Sequence, residues 1–480
     1  MTTVVIIGGD SSLLGYQRYL GQEVIADQLA RAGWRVRLIN AAALDYDEIA
    51  ELVLNDWDSL ALVAVSTTFL AKGSFGNSSW ITDLQQHQQF QQQIRRGHPQ
   101  VRFAVGGYYA GFRDYRRFGW TVFLDHSDEL IVKWLEGPQR VLPTVESNNP
   151  NRQFLSQPHQ WQALEQGEAI PIEISRGCRF RCAFCRYSLN GRSAGLYTRS
   201  SECLAQEIRE THDRWGTQHY QFADDTLNET TEKLTELLRA RDLAGVDFDF
   251  TAYIRLDLVE SHPEQAAMLR DLGLKNATLG IETLNHKSAQ SIGKGRDPRR
   301  QLDYLAQLKS TVWSQVHTHS GFIIGLPHDT RDNTQPVLEE FAKDTGALDS
   351  VVFRSLSLMH PNLIKQAGSK ISLSEFDLDP QRWGYEWQGP QWYNTKTGMT
   401  QAEASQIAEH LTEINDAHSK PRVAGFSWPM LYNIGIPAEI LDSRSIGQIS
   451  REFDIEKLTL DRINRSRVVV YEPYSLTHMS

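Results

Sequence analysis

Three cysteines fall within eight residues of this chain, in the segment ISRGCRFRCAFCRYS at residues 174–188. Cys178, Cys182 and Cys185 have the spacing CxxxCxxC, and the only other cysteine is Cys203. Thiolates are soft ligands for zinc or an iron-sulfur cluster, and a fourth thiolate normally completes either site. Cys203 is predicted to be a small buried side chain of the next helix. We therefore expect a cluster with one open position, which is typical of a catalytic metal centre.

The bulk composition indicates a large folded protein. The chain has 480 residues, 40% of them hydrophobic, and a formal net charge of −10. This length predicts two or three domains, and the negative charge argues against nonspecific coating of nucleic acid. Because no apolar run of membrane-spanning length occurs and three of the four cysteines are clustered, we expect a cytoplasmic protein without disulfides or a membrane partner.

The elements that must position these cysteines form an α/β pattern. Residues 1–145 alternate apolar runs with helix-length segments, which predicts a flavodoxin-like or Rossmann-like parallel sheet. Glycines at its strand ends suit either a ligand-binding edge or tight turns, namely Gly8, Gly9, Gly106 and Gly107. Residues 146–168 are predicted to be a linker.

A second series of strand and helix units follows over residues 169–362. Six strand candidates, each followed by a helix, predict a partial barrel with its chemistry at the carboxyl ends of the strands. The cysteine loop follows the first of these strands. In residues 363–480 the alternation of strand and helix candidates ends, and a helical region is predicted. Its aromatic residues could line a substrate groove or form a small core: Trp383, Tyr385, Trp387, Trp392 and Tyr393.

CxxxCxxC with an aromatic residue, Phe184, before the last cysteine resembles the signature of the radical S-adenosylmethionine (radical SAM) superfamily, and the match continues along residues 170–360. The resemblance implies that Cys178, Cys182 and Cys185 hold a 4Fe-4S cluster. In that superfamily S-adenosylmethionine chelates the fourth iron, and one electron releases a 5′-deoxyadenosyl radical. A flavodoxin or ferredoxin-type electron donor is therefore expected.

The same resemblance implies further cofactor-binding residues at the strand ends. FADD offers Asp224 and Asp225 for the methionine amino group, although helix capping is an equal alternative. YIRLD offers Arg255 for a carboxylate, and LGIET offers Glu282 for the ribose or methionine end.

One more element resembles the adenine-side GxIxGxxE motif of the superfamily. GFIIGLPH supplies Gly321, Ile323 and Gly325, with His328 where the family often has glutamate. Lys294, in GKGRD, is a weaker candidate in a loop near the active site.

A flavodoxin-like module ahead of such a barrel resembles the cobalamin-binding radical SAM class. No DxHxxG motif occurs, so the sequence does not support a histidine ligand below cobalt. Two alternatives stay open: the domain binds cobalamin, or it only shapes the barrel mouth.

Three functions follow from these observations. The first is hydrogen abstraction from a modified peptide or an amino-acid-bearing nucleotide, including a hypermodified DNA base, with rearrangement as the outcome. Rearrangement is favoured because no cysteine follows Cys203 to quench a substrate radical. The second is cobalamin-dependent carbon methylation. The third is a binding module with a zinc or iron-sulfur site and no turnover.

Overall fold

The computed structural model describes most of the chain, namely residues 2–9, 15–42, 44–54, 59–67, 84–107, 110–112, 114–124, 127–137, 144–145, 157–187, 191, 198–367, 373–418, 420, 422–423 and 425–474. In this part of the chain no helix is long and apolar enough to cross a membrane. Residues 10–14, which follow Gly8 and Gly9 in sequence, and residues 125–126 lie outside the described residues.

The amino-terminal sheet has seven strands in the order β15-β2-β1-β3-β4-β5-β6. Six strands are parallel, and every residue of β1 is buried because helices cover both faces. The strands are β1 Thr3–Gly8, β2 Arg35–Asn40, β3 Leu60–Ser66, β4 Arg102–Gly106, β5 Thr121–Phe123, β6 Thr144–Val145 and β15 Val468–Tyr471. The helices are α1 Leu20–Arg31, α2 Tyr46–Leu54, α3 Leu84–Gly97 and α4 Leu130–Glu136. The predicted flavodoxin-like sheet is confirmed.

The barrel is a six-stranded parallel sheet in simple chain order from β7 to β12. Its strands are β7 Ile170–Ile172, β8 His219–Phe222, β9 Asp249–Ile254, β10 Leu274–Glu282, β11 His317–Ile324 and β12 Ser350–Ser355. Its helices are α5 Ser201–Trp215, α6 Thr231–Ala244, α7 Leu256–Ser261, α8 Glu264–Asp271, α9 His286–Ser291, α10 Pro298–Ser310 and α11 Arg331–Lys343. Apolar side chains on the outer face of the strands form one core with these helices, as a partial barrel requires.

The carboxyl-terminal region is mainly helical, as predicted for residues 363–480, and its described part also contains three short strands. Its helices are α12 Pro361–Ala367, α13 Glu375–Leu378, α14 Gln401–His418, α15 Ser427–Tyr432, α16 Ala438–Leu441, α17 Ile446–Glu452 and α18 Ile455–Arg465. A hairpin, β13 Tyr385–Gln388 and β14 Gln391–Asn394, precedes α14. Strand β15 crosses back to pair antiparallel with β2, which removes an open edge of the first sheet.

Buried ion pairs join the three regions. Arg18, before α1, lies 2.8 Å from Glu168 in the linker, and Arg462 of α18 lies 2.7 Å from the other oxygen of Glu168. All three side chains are buried. Removing any one of them would leave an uncompensated buried charge, so this network fixes the carboxyl-terminal region against both sheets.

Candidate active site

The three cysteines lie on the loop that follows β7, at the carboxyl end of the barrel. The amide of Cys185 donates to the carbonyl of Cys182 at 2.9 Å, and the amide of Ala183 donates to Ile292 at 3.2 Å. None of the three thiols forms a disulfide. The Cys178 sulfur lies 3.5 Å from the Thr226 hydroxyl, and burial raises the pKa of this thiol. The loop is thus held by its own backbone and by the neighbouring strand ends.

The donor set fits a three-thiolate iron-sulfur cluster. In the described part of the chain, no three His, Cys, Asp or Glu side chains are grouped closely enough to hold a metal ion. A four-iron cluster attaches each cysteine to a different iron, so the test of fit is the donor set on the loop. Cys203 is not part of it, because that thiol is buried on α5 and accepts a hydrogen bond from Arg199 at 3.2 Å.

The structure separates the two aspartates of FADD. Asp224 is buried, accepts the amides of Ile174 and Ser175, and pairs with Lys233 at 2.7 Å. Its carboxylate therefore ties the end of β8 to the start of the cysteine loop. Neither aspartate caps α6, because Thr230 does so.

Asp225 instead faces the barrel mouth. Its side chain is accessible to solvent there, yet protein atoms lie on most sides of it. Burial in this enclosure, together with Asp224, raises the pKa of Asp225 to about 7, while a hydrogen bond with the Tyr187 hydroxyl opposes the rise. Of the two candidates, Asp225 is the one placed to meet a ligand.

Arg255 contacts the cysteine loop directly. Its guanidinium lies 3.7 Å from the centre of the Phe180 ring, and Nη1 lies 3.8 Å from the Cys182 sulfur. Asp257 binds the other edge of the guanidinium at 2.6 Å. Asp257 already binds one edge of the Arg255 guanidinium, so the contact between Arg255 and a cofactor carboxylate stays a prediction.

Phe184, Glu282 and Lys294 are brought together at the end of β10. The Lys294 ammonium lies 3.3 Å from the Glu282 carboxylate and 5.9 Å from the centre of the Phe184 ring. Glu282 has a backbone φ of +68°, a region that side-chain-bearing residues rarely occupy. Such strain is typical of functional sites, where the surrounding structure imposes it.

The GFIIGLPH element forms the end of β11 and the turn after it. Gly321 and Ile323 are half-buried on the strand face opposite to Phe322, which packs on α11. Gly325 has φ +96°, and an added Cβ would lie 2.5 Å from Trp392. His328 is exposed, with its carbonyl accepting from Asn285 and Asn333, while the next residue, Asp329, accepts the Gly325 and Leu326 amides.

The aromatic residues of the carboxyl-terminal region include members of the main core. Tyr385 and Trp392 are fully buried, and their polar atoms bind the carbonyls of Gly325 and Leu356. These two side chains therefore support the strand ends of β11 and β12, which favours the core interpretation over a substrate groove for this pair.

Sequence reasoning missed a set of polar residues inside the barrel. Tyr253, His319 and Arg354 occupy alternating positions on β9, β11 and β12 whose neighbours are buried on the outer face. The arginine within the largely apolar strand SVVFRS was a signal that could have found Arg354, whereas the four consecutive polar residues that begin HTHSGFII do not single out His319.

The carboxyl edges of the two sheets face each other. Asp128, after β5, forms a 2.6 Å ion pair with Arg176 at the start of the cysteine loop. Helix α12, after β12, lies against the 3₁₀ turn at Ala110–Phe112, after β4. The carboxyl edge of the first sheet therefore contacts the barrel mouth beside both its first and its last strand.

The sequence profile of the radical SAM superfamily matches residues 172–341, which include the cysteine loop and strands β8 to β11. Residues 172–341 form a radical SAM domain. The predicted resemblance and fold class are thereby confirmed, and the superfamily implies a 4Fe-4S cluster and S-adenosylmethionine as cofactors.

Two curated proteins are similar to part of this chain. It is 29% identical over 183 residues to Uncharacterized methyltransferase PH0819 of Pyrococcus horikoshii, covering 37% of this chain and 38% of that protein. It is 26% identical over 197 residues to Bacteriochlorophyllide d C-12(1)-methyltransferase of Chlorobaculum tepidum, covering 40% of this chain and 41% of that protein. Each match thus spans well under half the relative's length. Neither relative is named an isomerase, so the comparisons do not support the predicted rearrangement.

A solved structure resembles nearly the whole fold. The cobalamin-dependent S-adenosylmethionine radical enzyme OxsB superposes with a TM-score of 0.55 over 94% of this chain and 65% of that one, at 14% identity. The likeness extends beyond the radical SAM domain to the amino-terminal sheet. The arrangement of the two sheets is therefore shared with a cobalamin-dependent enzyme.

Proposed function

We propose that this protein is a cobalamin-dependent radical SAM enzyme that methylates a carbon of its substrate. The observation that carries the proposal is the ion pair between Asp128 and Arg176, which sets the carboxyl edge of the first sheet against the cysteine loop. A corrin bound at that edge would face the cluster and the substrate. The names of the two relatives support methylation over the rearrangement favoured by sequence alone.

The residues at this edge suit a flat ligand, as far as the structure describes them. Gly106 and Gly107 end β4, and the Thr67 hydroxyl donates to the Gly106 carbonyl at 2.8 Å. An added Cβ at Gly106 would only touch Phe123 at 3.6 Å, so the edge is open there. Gly8 is different, because the Gln22 side chain already fills the space beside it. Much of the remaining edge, including residues 68–83, lies outside the described residues.

When bound, S-adenosylmethionine would supply the radical and cobalamin the methyl group that is transferred. The chain's own residues hold and orient these groups. Cys178, Cys182 and Cys185 supply the three thiolates, and Asp225 faces the mouth where it can accept a proton or an ammonium group. Glu282 and Lys294 form a charged pair beside Phe184 at the same mouth.

The substrate class and the electron donor stay predictions. A peptide or a nucleotide-linked substrate, and a flavodoxin or ferredoxin-type donor, are carried forward from the sequence.

The test is anaerobic reconstitution of the full chain with iron, sulfide and hydroxocobalamin. We expect corrin to elute with the protein at about one equivalent, and S-adenosylhomocysteine to form beside 5′-deoxyadenosine when methyl-labelled S-adenosylmethionine, reductant and a host-cell extract are added. Cys185→Ala is the control and should abolish both products. No bound corrin, with 5′-deoxyadenosine as the only product, would contradict methylation and favour rearrangement. If the cluster-loaded protein formed neither product, the result would favour the third alternative, a binding module without catalytic turnover.

A further inference from the structure

The polar residues inside the barrel have no part in the mechanism above. On β9, Ala252 and Ile254 are buried in the outer core, so Tyr253 between them faces the interior. On β12, Val351 and Phe353 are buried in the same core, so Arg354 faces the interior as well. Side chains alternate between the two faces of a strand, which makes this assignment general for the barrel.

Four inward-facing residues lie in register on the neighbouring strands β9 to β12. Tyr253 pairs with Thr278, Thr278 pairs with His319, and His319 pairs with Ser350. His319 Nδ1 lies 2.7 Å from the Ser350 hydroxyl, and this contact fixes the orientation of the imidazole. We call these inward-facing polar residues, together with Arg354, the layer. Arg354 is four residues further along β12, on the same face and toward the mouth.

Among the described residues, Arg354 has no counterion for its positive charge. It is exposed to the barrel space, and no carboxylate of the described residues lies within ion-pair distance of it. A guanidinium keeps its charge at any physiological pH, and an enclosed, unpaired charge is unfavourable. The nearest mouth carboxylates are engaged, Asp225 by Tyr187 and Glu282 by Lys294.

The groups beside Arg354 are neutral. Burial and the charge of Arg354 lower the pKa of His319 to about 4, so its imidazole is uncharged near pH 7. Burial and the acidic groups of the mouth raise the pKa of Tyr253 to about 12, so its phenol keeps the proton. The layer therefore offers one positive charge and neutral hydrogen-bonding groups.

The amino-terminal end of the barrel is closed below this layer. The Phe426 ring lies 4.5 Å from the Tyr253 ring, and a Cβ on Gly425 would lie 3.2 Å from the His319 ring. The carbonyl of Val423 contacts His317 at 3.2 Å. Access to Arg354 is consequently from the mouth, on the side of the cysteine loop.

We propose that Arg354, with His319 and Tyr253, binds a carboxylate of the substrate. A planar carboxylate matches the donor fork of one guanidinium, and its single charge balances the single charge of the layer. A phosphate dianion would be left with excess negative charge. This inference rests on the proposed function only in taking the barrel interior as the substrate site.

The test measures protection of Arg354 from phenylglyoxal, with acetate as the probe and the full reconstituted chain under anaerobic conditions. Acetate at about ten times its dissociation constant should slow labelling of Arg354 about tenfold, by mass action. The exposed Arg382 should be unaffected, phosphate at equal ionic strength should protect less, and prior saturation with S-adenosylmethionine should leave the acetate effect in place.

Three results would overturn the proposal: no protection by acetate, stronger protection by phosphate, or complete protection by S-adenosylmethionine alone, which would assign Arg354 to the cofactor. Tyr253→Phe keeps the ring against Phe426 and should weaken acetate protection severalfold, whereas Tyr393→Phe, at a half-buried tyrosine of the β13–β14 hairpin, should not. The measurement needs neither cobalamin nor turnover, so its outcome is independent of whether the protein methylates anything.

Discussion

The Asp128 carboxylate and the Arg176 guanidinium lie 2.6 Å apart, and both side chains are buried. Glu173 binds the same guanidinium, also at 2.6 Å. One residue from the amino-terminal sheet and one from the barrel thus fix the start of the cysteine loop. The pair couples the position of the first sheet to the geometry of the cluster site.

Asp128→Asn should lower the free energy of unfolding by about 2 kcal/mol, because Arg176 would keep only one of its two buried counterions. We also expect faster amide hydrogen exchange in the cysteine loop. Urea denaturation and hydrogen exchange of the apoprotein measure the two effects.

The control for this prediction is Glu202→Gln. Glu202 pairs with Arg239 at 2.7 Å, but both side chains are about 60% exposed. Its loss should lower the stability much less than Asp128→Asn does, because solvent screens an exposed ion pair. Equal effects of the two substitutions would mean that the interdomain pair contributes no more than a surface contact.

Much of this architecture could be predicted from local patterns. The alternation of apolar strands and helices gave both parallel sheets, and the cysteine spacing marked the loop after β7. Strand β15 could not be predicted to join β2, because that pairing depends on contacts between residues more than 400 positions apart. Asp224 and Asp225 are adjacent in sequence, and only the fold shows that one is structural and the other faces the mouth.

The raised pKa of Asp225 gives a pH dependence with a defined sign. If the ionised carboxylate meets the ammonium of S-adenosylmethionine, binding should tighten severalfold from about pH 6 to about pH 7.5, as Asp225 loses its proton. The contribution of Asp225 to the stability of the apoprotein should fall as the pH rises from about 4 to about 7, because the unfolded chain releases this proton at lower pH than the folded one.

Asp225→Asn should weaken binding of S-adenosylmethionine and remove this pH dependence, as measured by equilibrium dialysis. Asp224→Asn should instead lower stability, since Asp224 joins β8 to the cysteine loop. An unchanged pH profile in Asp225→Asn would assign the titration to another group.

Gly325 tests whether the turn after β11 requires glycine for packing. Gly325→Ala should cost about 3 kcal/mol or more, because the new Cβ would lie 2.5 Å from Trp392 and the backbone has a positive φ. Gly346→Ala has a positive φ but open space, and should cost about 1 kcal/mol. Thermal or urea unfolding compares them, and equal costs would rule out a packing role.

Glu282 combines a strained backbone with a charge at the barrel mouth. Glu282→Asn should be about 0.5–1 kcal/mol more stable than Glu282→Gln, because both lose the ion pair with the buried Lys294 but asparagine tolerates a positive φ better. Glu282→Gln removes the same charge but keeps a long side chain on the strained backbone, so it should show no such gain. Both changes leave Lys294 without its 3.3 Å partner, and both should reduce S-adenosylmethionine cleavage at least about tenfold, a loss of about 1.4 kcal/mol in transition-state stabilisation. Urea denaturation and 5′-deoxyadenosine release measure the two effects. A gain in stability with full cleavage activity would show that the strain at Glu282 does not serve the active site.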